Sequence, residues 1–204
     1  MTGHAVILGG SIAGSLAARA VANVYEQVSV IDRDKFSAAT QPRRAVPQGH
    51  HIHALLARGQ EILEQLFPGF TGELIERGVP VGDFGTSLSW YFNGQMIRKA
   101  RTGLLCVAAG RPLLENYVRS RVMAVPNVTY HDRADIRGLV TSADRSRVTG
   151  VRIQGPDAGA PEEVLEADLV IDTTGRGSRT PRWLAELGYG RVEEELSLIH
   201  ISEP

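Results

Sequence analysis

The sequence predicts an α/β fold whose first layer is a parallel sheet. Three adjacent segments carry this prediction: an apolar run from Ala5 to Leu8 that ends in glycine, a stretch with helical spacing from Ile12 to about Tyr25, and a second apolar run from Val28 to Ile31. A strand, a glycine turn, a helix and a strand within 32 residues form a βαβ unit. Its right-handed crossover places both strands side by side and parallel.

The next segment interrupts this pattern. Residues 33–49 hold several turn-forming residues and predict a connecting loop, and the apolar spacing of residues 50–67 predicts a helix that Pro68 stops. Between residues 80 and 109 apolar and polar residues alternate around Asn93-Gly94, a strong signal of a two-residue hairpin. An antiparallel patch is therefore predicted here.

The later part of the chain returns to both element types. Residues 111–125 have helical spacing, and residues 128–130 predict a short strand that adds an edge to the first sheet. Three further apolar runs, separated by polar turns, predict a β-meander over residues 136–141, 148–153 and 164–171. A last helix is predicted to begin at Pro181.

Composition excludes several classes of protein. With 204 residues, 43% of them hydrophobic, and a mean hydropathy of -0.10, the chain suits one globular domain with room for part of a second. No apolar run approaches the roughly 20 residues of a membrane span, and no basic leader precedes the first strand, so a cytoplasmic protein without a stable membrane span is expected. Cys106 is the only cysteine and the net charge is -1, so no disulfide, metal site or nucleic-acid partner is predicted.

The glycine turn after the first strand has the position of a dinucleotide-binding fingerprint, with the sequence Gly9, Gly10, Ser11, Ile12, Ala13, Gly14. Gly9 permits a tight turn, and Gly14 lets the helix pack on the strand. The amino end of that helix would then face a pyrophosphate with its partial positive charge. Ser11 replaces the middle glycine of G-x-G-x-x-G and adds a hydroxyl that could bond a phosphate. Asp32, 18 residues after Gly14, supplies the acceptor pair that a ribose diol needs.

An NAD-binding Rossmann domain would continue with further βα units, whereas this chain passes through antiparallel strands and a meander to Asp172-Thr-Thr-Gly-Arg-Gly-Ser178. In this order of elements, residues 4–190 resemble the glutathione-reductase-type flavoproteins, and within them the FAD-dependent monooxygenases of the p-hydroxybenzoate hydroxylase type. The resemblance implies a Rossmann-like FAD-binding domain over residues 1–79 and 105–190. Residues 80–104 would be part of an antiparallel substrate-domain sheet.

The resemblance also implies further cofactor-binding residues. The motif of these families often reads D-A-T-G-x-x-S, which places Asp172 and Gly175 near the flavin pyrophosphate and ribityl chain. Arg111 matches an arginine near the FAD phosphates, and its bidentate guanidinium suits a pyrophosphate; a solvated surface arginine is the alternative. Arg33 and Arg44 are weaker candidates. Thr174 stands where a second form of the motif has an aspartate linked to NADPH, so NAD(P)H and a separate flavin reductase are both candidate electron sources.

Residues 46–59 resemble a segment of bacterial epoxidases akin to squalene epoxidase. His50 and His53 would share one helical face, where either could hydrogen-bond flavin or substrate. Helix-capping or surface histidines are the alternative. No acid–base pair is evident in the sequence, so His53 is the only catalytic candidate.

Together these features predict the amino-terminal part of an FAD-dependent oxidoreductase, most simply a monooxygenase that hydroxylates or epoxidises a small apolar molecule. Two alternatives stay open: a reductase of isoprenoid double bonds, and a dinucleotide-binding fragment without catalysis. A halogenase is disfavoured because no W-x-W-x-I-P segment is present. Residues 197–204 resemble a translated sequencing adapter and are predicted to be a non-native tail, with a natural terminus as the alternative.

Overall fold

The computed structural model describes residues 2–36, 53–157, 159–190 and 193. Its strands are β1 (His4–Leu8), β2 (Gln27–Ile31), β3 (Val81–Asp83), β4 (Tyr91–Phe92), β5 (Gln95–Met96), β6 (Leu105–Val107), β7 (Val128–His131), β8 (Asp135–Thr141), β9 (Val148–Gln154), β10 (Glu162–Glu166) and β11 (Leu169–Asp172). Its α-helices are α1 (Ile12–Val21), α2 (Ala57–Leu66), α3 (Phe70–Glu76), α4 (Arg111–Met123) and α5 (Thr180–Glu186). Throughout this described part, each helix is too short or too polar to cross a membrane.

The central feature is a parallel sheet with the strand order β11-β1-β2-β7. It confirms the predicted βαβ unit and the predicted α/β fold class, and β7 forms the predicted edge. Four consecutive residues of β1, Ala5 to Leu8, are fully buried. A strand covered on both faces needs apolar side chains at every position, which explains the unbroken apolar run in the sequence.

The two faces of the parallel sheet contact different layers. Ala5 and Ile7 join a core that includes Ala18 of α1 and Val118 of α4. Val6 and Leu8 point to the opposite face, where they pack with buried side chains of the antiparallel sheet β10-β9-β8, including Leu139 and Val151. The parallel sheet is therefore enclosed between helices and a second sheet.

The prediction of a single third meander strand over residues 164–171 is wrong, because two strands in different sheets cover this range. β10 ends at Glu166, and β11 begins at Leu169 in the parallel sheet. The switch occurs within two residues, because the Ala167 amide bonds to the Thr149 carbonyl while the Asp168 amide bonds to the His4 carbonyl. The Asp168 carboxylate also accepts the His4 amide at 2.9 Å. Apolar patterning alone does not reveal such a change of partner.

The predicted helix over residues 50–67 is wrong at its start, since α2 begins at Ala57. Leu55 exchanges two backbone hydrogen bonds of 2.9 Å with Val107, which holds the chain extended there. The sequence also failed to predict α3, which follows Gly69 in a left-handed conformation (φ 89°). The hairpin is confirmed at Asn93 and Gly94, whose φ values are 49° and 77°.

The close packing of α1 on β1 can be tested by adding a side chain at Gly14. A Cβ added at Gly14 would lie 1.8 Å from the Gly9 carbonyl oxygen. Gly14→Ala is therefore expected to lower the free energy of unfolding by about 3 kcal/mol or more, since the added Cβ overlaps a backbone atom and is accommodated only if α1 shifts away from the glycine turn. Urea denaturation at pH 7 measures this loss.

The matched control is Gly72→Ala in α3, where an added Cβ meets no atom within 4 Å. This change should stabilise the chain by about 0.5 to 1 kcal/mol, because alanine restricts the unfolded backbone without a steric cost. Equal effects of the two substitutions would contradict the packing of α1 on β1.

Candidate functional site

Three strand ends meet at the carboxyl edge of the parallel sheet. The register pairs Leu8 with both Ile31 and Asp172. The residues that follow, Gly9, Asp32 and Thr173, therefore lie at the same level just beyond the sheet. Ligands of open α/β sheets bind outside this edge, so the predicted fingerprint stands at the expected place.

The turn between β1 and α1, residues 9–14, forms a glycine corner. Gly9 has a φ of 95°, and its amide donates to the Ile31 carbonyl at 2.8 Å. Gly14 is buried against the Gly9 carbonyl, as predicted for close helix–strand packing. Because α1 begins at Ile12, its first amides lack partners within the helix and carry a partial positive charge at the sheet edge. The corner therefore has the properties of an anion site.

Ser11, the departure from the fingerprint, causes no strain. Its φ of -81° is open to any L residue, and its hydroxyl makes no capping hydrogen bond to the helix. Ser11 is half-buried, and Ala13 in the first turn is exposed.

Asp32 faces the glycine corner. Its carboxylate is almost buried and accepts the Gly10 amide at 2.7 Å and the Asp34 amide at 2.8 Å. An ionised carboxylate is an acceptor only, with two lone pairs on each oxygen, which is the chemistry that the hydroxyls of a ribose require. Arg33, the next residue, is exposed.

Two aromatic residues that sequence reasoning missed lie beside the corner. A Cβ at Gly10 would approach the Phe36 ring to 2.5 Å, and this ring packs edge-on against Tyr130 at 5.3 Å. The Tyr130 hydroxyl donates to the Ser15 hydroxyl at 2.9 Å, and burial raises the pKa of Tyr130 to about 12. Glycine at position 10 thus leaves room for Phe36. Neither aromatic belongs to a recognisable motif.

Asp172 organises the loop that follows β11. Its carboxylate accepts hydroxyl donors from Thr174, Ser178 and Thr180, each at 2.5 Å, and the Thr174 amide at 2.8 Å. Burial raises the pKa of Asp172, but the hydrogen bonds outweigh it and the net pKa is lowered. The carboxylate is therefore directed at its own loop, and its role toward a cofactor stays a prediction. Gly175 in this loop has a φ of 68° and begins a 3-10 turn.

Thr173, which the sequence did not single out, joins this loop to the glycine corner. Its hydroxyl lies 2.7 Å from the Leu8 carbonyl oxygen and 2.9 Å from the Gly9 carbonyl oxygen. The contact spans 164 residues of sequence. Only a known strand order, with β11 beside β1, would have pointed to it.

Arg111 begins α4, as predicted. Residues 124–127 join the end of α4 to the start of β7, so the helix runs antiparallel to the sheet and begins at the same edge as α1. The Arg111 Nε is buried and has no hydrogen-bond partner among the residues that the structure describes, and it lies 3.9 Å from the Glu115 carboxylate. A buried donor without an acceptor is costly, which makes an anion a fitting partner for this guanidinium.

The prediction that His53 lies on a helical face is wrong. His53 is not helical; it lies two residues before the bridge between Leu55 and Val107, and it is half-buried. Its catalytic role stays a prediction. His50 and Arg44 lie outside the residues that the structure describes, as do residues 197–204.

A cavity of about 860 Å³ lies at the opposite, amino edge of the parallel sheet. Residues that line it include His4, Gln27, Glu166 and Asp168. It is remote from the glycine corner along the strands and does not belong to the candidate site.

Comparison with known sequences places these features in context. No family profile matches the chain. Protein Rv3254 of Mycobacterium tuberculosis (strain ATCC 25618 / H37Rv) is 37% identical over 213 residues, which cover 98% of this chain and 43% of that protein. Kynurenine 3-monooxygenase of Salinispora arenicola (strain CNS-205) is 28% identical over 184 residues, covering 83% and 35%. The chain thus spans less than half the length of these curated relatives.

Solved structures agree on the fold. PqsL of Pseudomonas aeruginosa in complex with 2-aminobenzoylacetate has a TM-score of 0.68 and 18% identity, over 97% of this chain and 48% of PqsL. The flavin-dependent monooxygenase PieE, in complex with FAD and substrate, has a TM-score of 0.58 and 20% identity, over 92% of this chain and 32% of PieE. The chain therefore shares its fold with these two proteins, in agreement with the α/β fold that the motifs had predicted.

The Asp172 loop generates a pH-dependent prediction. Asp172→Asn is expected to lower the free energy of unfolding by about 1–3 kcal/mol at pH 7, because it removes the charge that three hydroxyls and an amide stabilise. The folded pKa of Asp172 lies below its ordinary value of 3.8, so this stability is present above pH 3.8 and is lost as the pH falls further. The difference between wild type and variant should therefore shrink below that pH.

Urea denaturation from pH 3 to pH 7 measures the effect. Asp157→Asn is the matched control, since Asp157 is exposed in the turn between β9 and β10. A pH-independent difference for Asp172→Asn, or an equal loss for both variants, would contradict the assigned role.

Proposed function

We propose that the chain forms the FAD-binding part of a flavin-dependent monooxygenase that acts on a small apolar organic molecule. The observation that carries the proposal is the glycine corner, with the amino end of α1 on one side and the Asp32 carboxylate on the other. The named relatives support the proposal, since one is a kynurenine 3-monooxygenase and PieE is a flavin-dependent monooxygenase.

The residues at the sheet edge fit the ADP half of FAD. The amides at the start of α1 would hold the pyrophosphate, and the Asp32 carboxylate would accept the hydroxyls of the adenosine ribose. Arg111 would bring its guanidinium, whose buried Nε has no hydrogen-bond partner within the described residues, to a phosphate, and the exposed Arg33 is a further candidate. Arg44, outside the described residues, stays a candidate on the ground of the sequence. Gly175 and the Asp172 loop would flank the rest of the cofactor.

When bound, FAD supplies the redox chemistry that inserts one oxygen atom of O₂ into a substrate, with electrons from NAD(P)H or a separate flavin reductase. The chain contributes position and shielding. Phe36 and Tyr130 pack against each other beside the glycine corner, where their rings would shield a bound nucleotide from water. No described residue has the geometry of an acid–base pair that we would assign to catalysis, and His53 stays the candidate.

The division into domains fits this proposal. Residues 1–79 and 105–190 would form the FAD-binding domain, and residues 80–104 would belong to the substrate domain. This segment carries exposed apolar side chains, among them Tyr91, Phe92, Met96, Ile97 and Leu104. Such a surface suits contact with an apolar substrate or with further parts of a substrate domain.

FAD binding by the chain is the first test. The purified chain should retain FAD, visible as flavin absorbance, and Asp32→Ala should raise its Kd at least about tenfold because charged hydrogen bonds to the ribose are lost. Asp157→Ala, at an exposed position of the same charge, should leave the Kd unchanged. Flavin fluorescence titration measures both. No flavin binding by wild type, or no loss with Asp32→Ala, would contradict the proposal.

Oxygen dependence separates the monooxygenase from the reductase. With the whole protein that carries this chain, an added apolar alkene should stimulate oxygen consumption and yield an oxygenated product, since one atom of O₂ enters the substrate. An oxygen electrode and mass spectrometry in ¹⁸O₂ measure this. Saturation of the alkene under anaerobic conditions would instead establish the reductase.

A further inference from the structure

The Gly9–Gly10 peptide is held from both of its sides. On the nitrogen side, the Gly10 amide donates to the Asp32 carboxylate at 2.7 Å. On the oxygen side, the Gly9 carbonyl lies 2.9 Å from the Thr173 hydroxyl. One side chain follows β2 and the other follows β11, the two neighbours of β1 in the sheet. The orientation of this peptide therefore depends on both neighbouring strands.

The Thr173 hydroxyl has a specific reason to donate to Gly9. It carries one proton and faces two carbonyl oxygens, those of Leu8 and Gly9. The Leu8 carbonyl already accepts the Thr173 backbone amide at 2.8 Å. The Gly9 carbonyl points into the corner between strand and helix, where an added Cβ at Gly14 would lie 1.8 Å from its oxygen. Without the hydroxyl, this carbonyl would lose the donor that lies 2.9 Å away.

The Thr173 hydroxyl also lies against the two ends of the glycine corner, Gly9 and Gly14. An added Cβ would lie 3.2 Å from the Thr173 Oγ1 at Gly9 and 2.8 Å from it at Gly14. Both fingerprint glycines thus pack against Thr173. The motif D-A-T-G-x-x-S, aligned on Asp172, has alanine where this chain has Thr173. The Thr173 hydroxyl is therefore not part of that motif.

We propose that Thr173 is a positioning residue of the nucleotide site, whose hydroxyl fixes the Gly9–Gly10 peptide and thereby aims the first amides of α1 at a diphosphate. The inference rests on the proposed function, because the diphosphate is that of FAD. Thr173 acts through the peptide and is not itself expected to touch the cofactor. It is therefore predicted to affect ligands that contain the diphosphate more than ligands that lack it.

The experiment compares three ligands on four chains. FAD, ADP and adenosine are titrated against wild type, Thr173→Ala, Thr173→Ser and a matched control, Thr129→Ala, at an exposed threonine of β7 in the same sheet. Calorimetry is run at 10 °C, and circular dichroism checks that each chain is folded. Should Thr173→Ala not fold, Thr173→Val keeps the methyl packing and removes only the donor.

We expect Thr173→Ala to raise the Kd for FAD and for ADP about tenfold, which corresponds to ~1.4 kcal/mol. The Kd for adenosine should change less than about twofold, and Thr173→Ser should restore the wild-type values because the donor returns. A purely structural role would lower the melting temperature and weaken all three ligands alike.

Three results would overturn the inference while leaving FAD binding intact: an unchanged Kd for FAD in Thr173→Ala, an equal loss for adenosine, or failure of Thr173→Ser to restore binding. Wild type that binds neither FAD nor ADP would instead overturn the proposed function, and the inference with it. The two failures are therefore distinguishable within one data set.

Discussion

The contact between Gly14 and the Gly9 carbonyl is the constraint on which the rest of the site depends. The 1.8 Å that would separate an added Cβ from this oxygen means that helix and strand backbones touch directly. Because α1 lies this close, its amino end reaches the carboxyl edge of the sheet. A side chain at position 14 would lift the helix away and displace the first amides of α1 from the sheet edge.

The glycine corner is also tied to strands that are distant in sequence. Asp32 after β2 and Thr173 after β11 bond the same peptide from opposite sides. Asp172, one residue before Thr173, keeps its loop in place through hydroxyl and amide donors. A carboxylate at a strand end can thus order the loop that follows the strand. The two aspartates, alike in the sequence, have different surroundings for this reason.

The antiparallel segment is held together by a different interaction. The Asp83 carboxylate accepts backbone amides of Gly85, Thr102 and Gly103, the shortest at 2.7 Å. Burial opposes ionisation, yet these bonds lower the pKa of Asp83 to about 2. With strands of only two residues in β4 and β5, this network replaces much of the ladder that a longer sheet would provide. Its apolar side chains remain on the surface.

The sequence by itself determined the parallel sheet, the glycine corner, Asp32 at the end of β2 and Arg111 at the start of α4. These features are local: a buried strand needs an apolar run, a tight corner needs glycine, and the spacing to the next strand end follows from one helix. The tertiary structure alone decided that residues 164–171 form two strands in different sheets, that residues 53–56 are extended, and that Thr173 meets Gly9. Each of these depends on a hydrogen-bond partner far along the chain, and no local pattern of side chains encodes which partner that is.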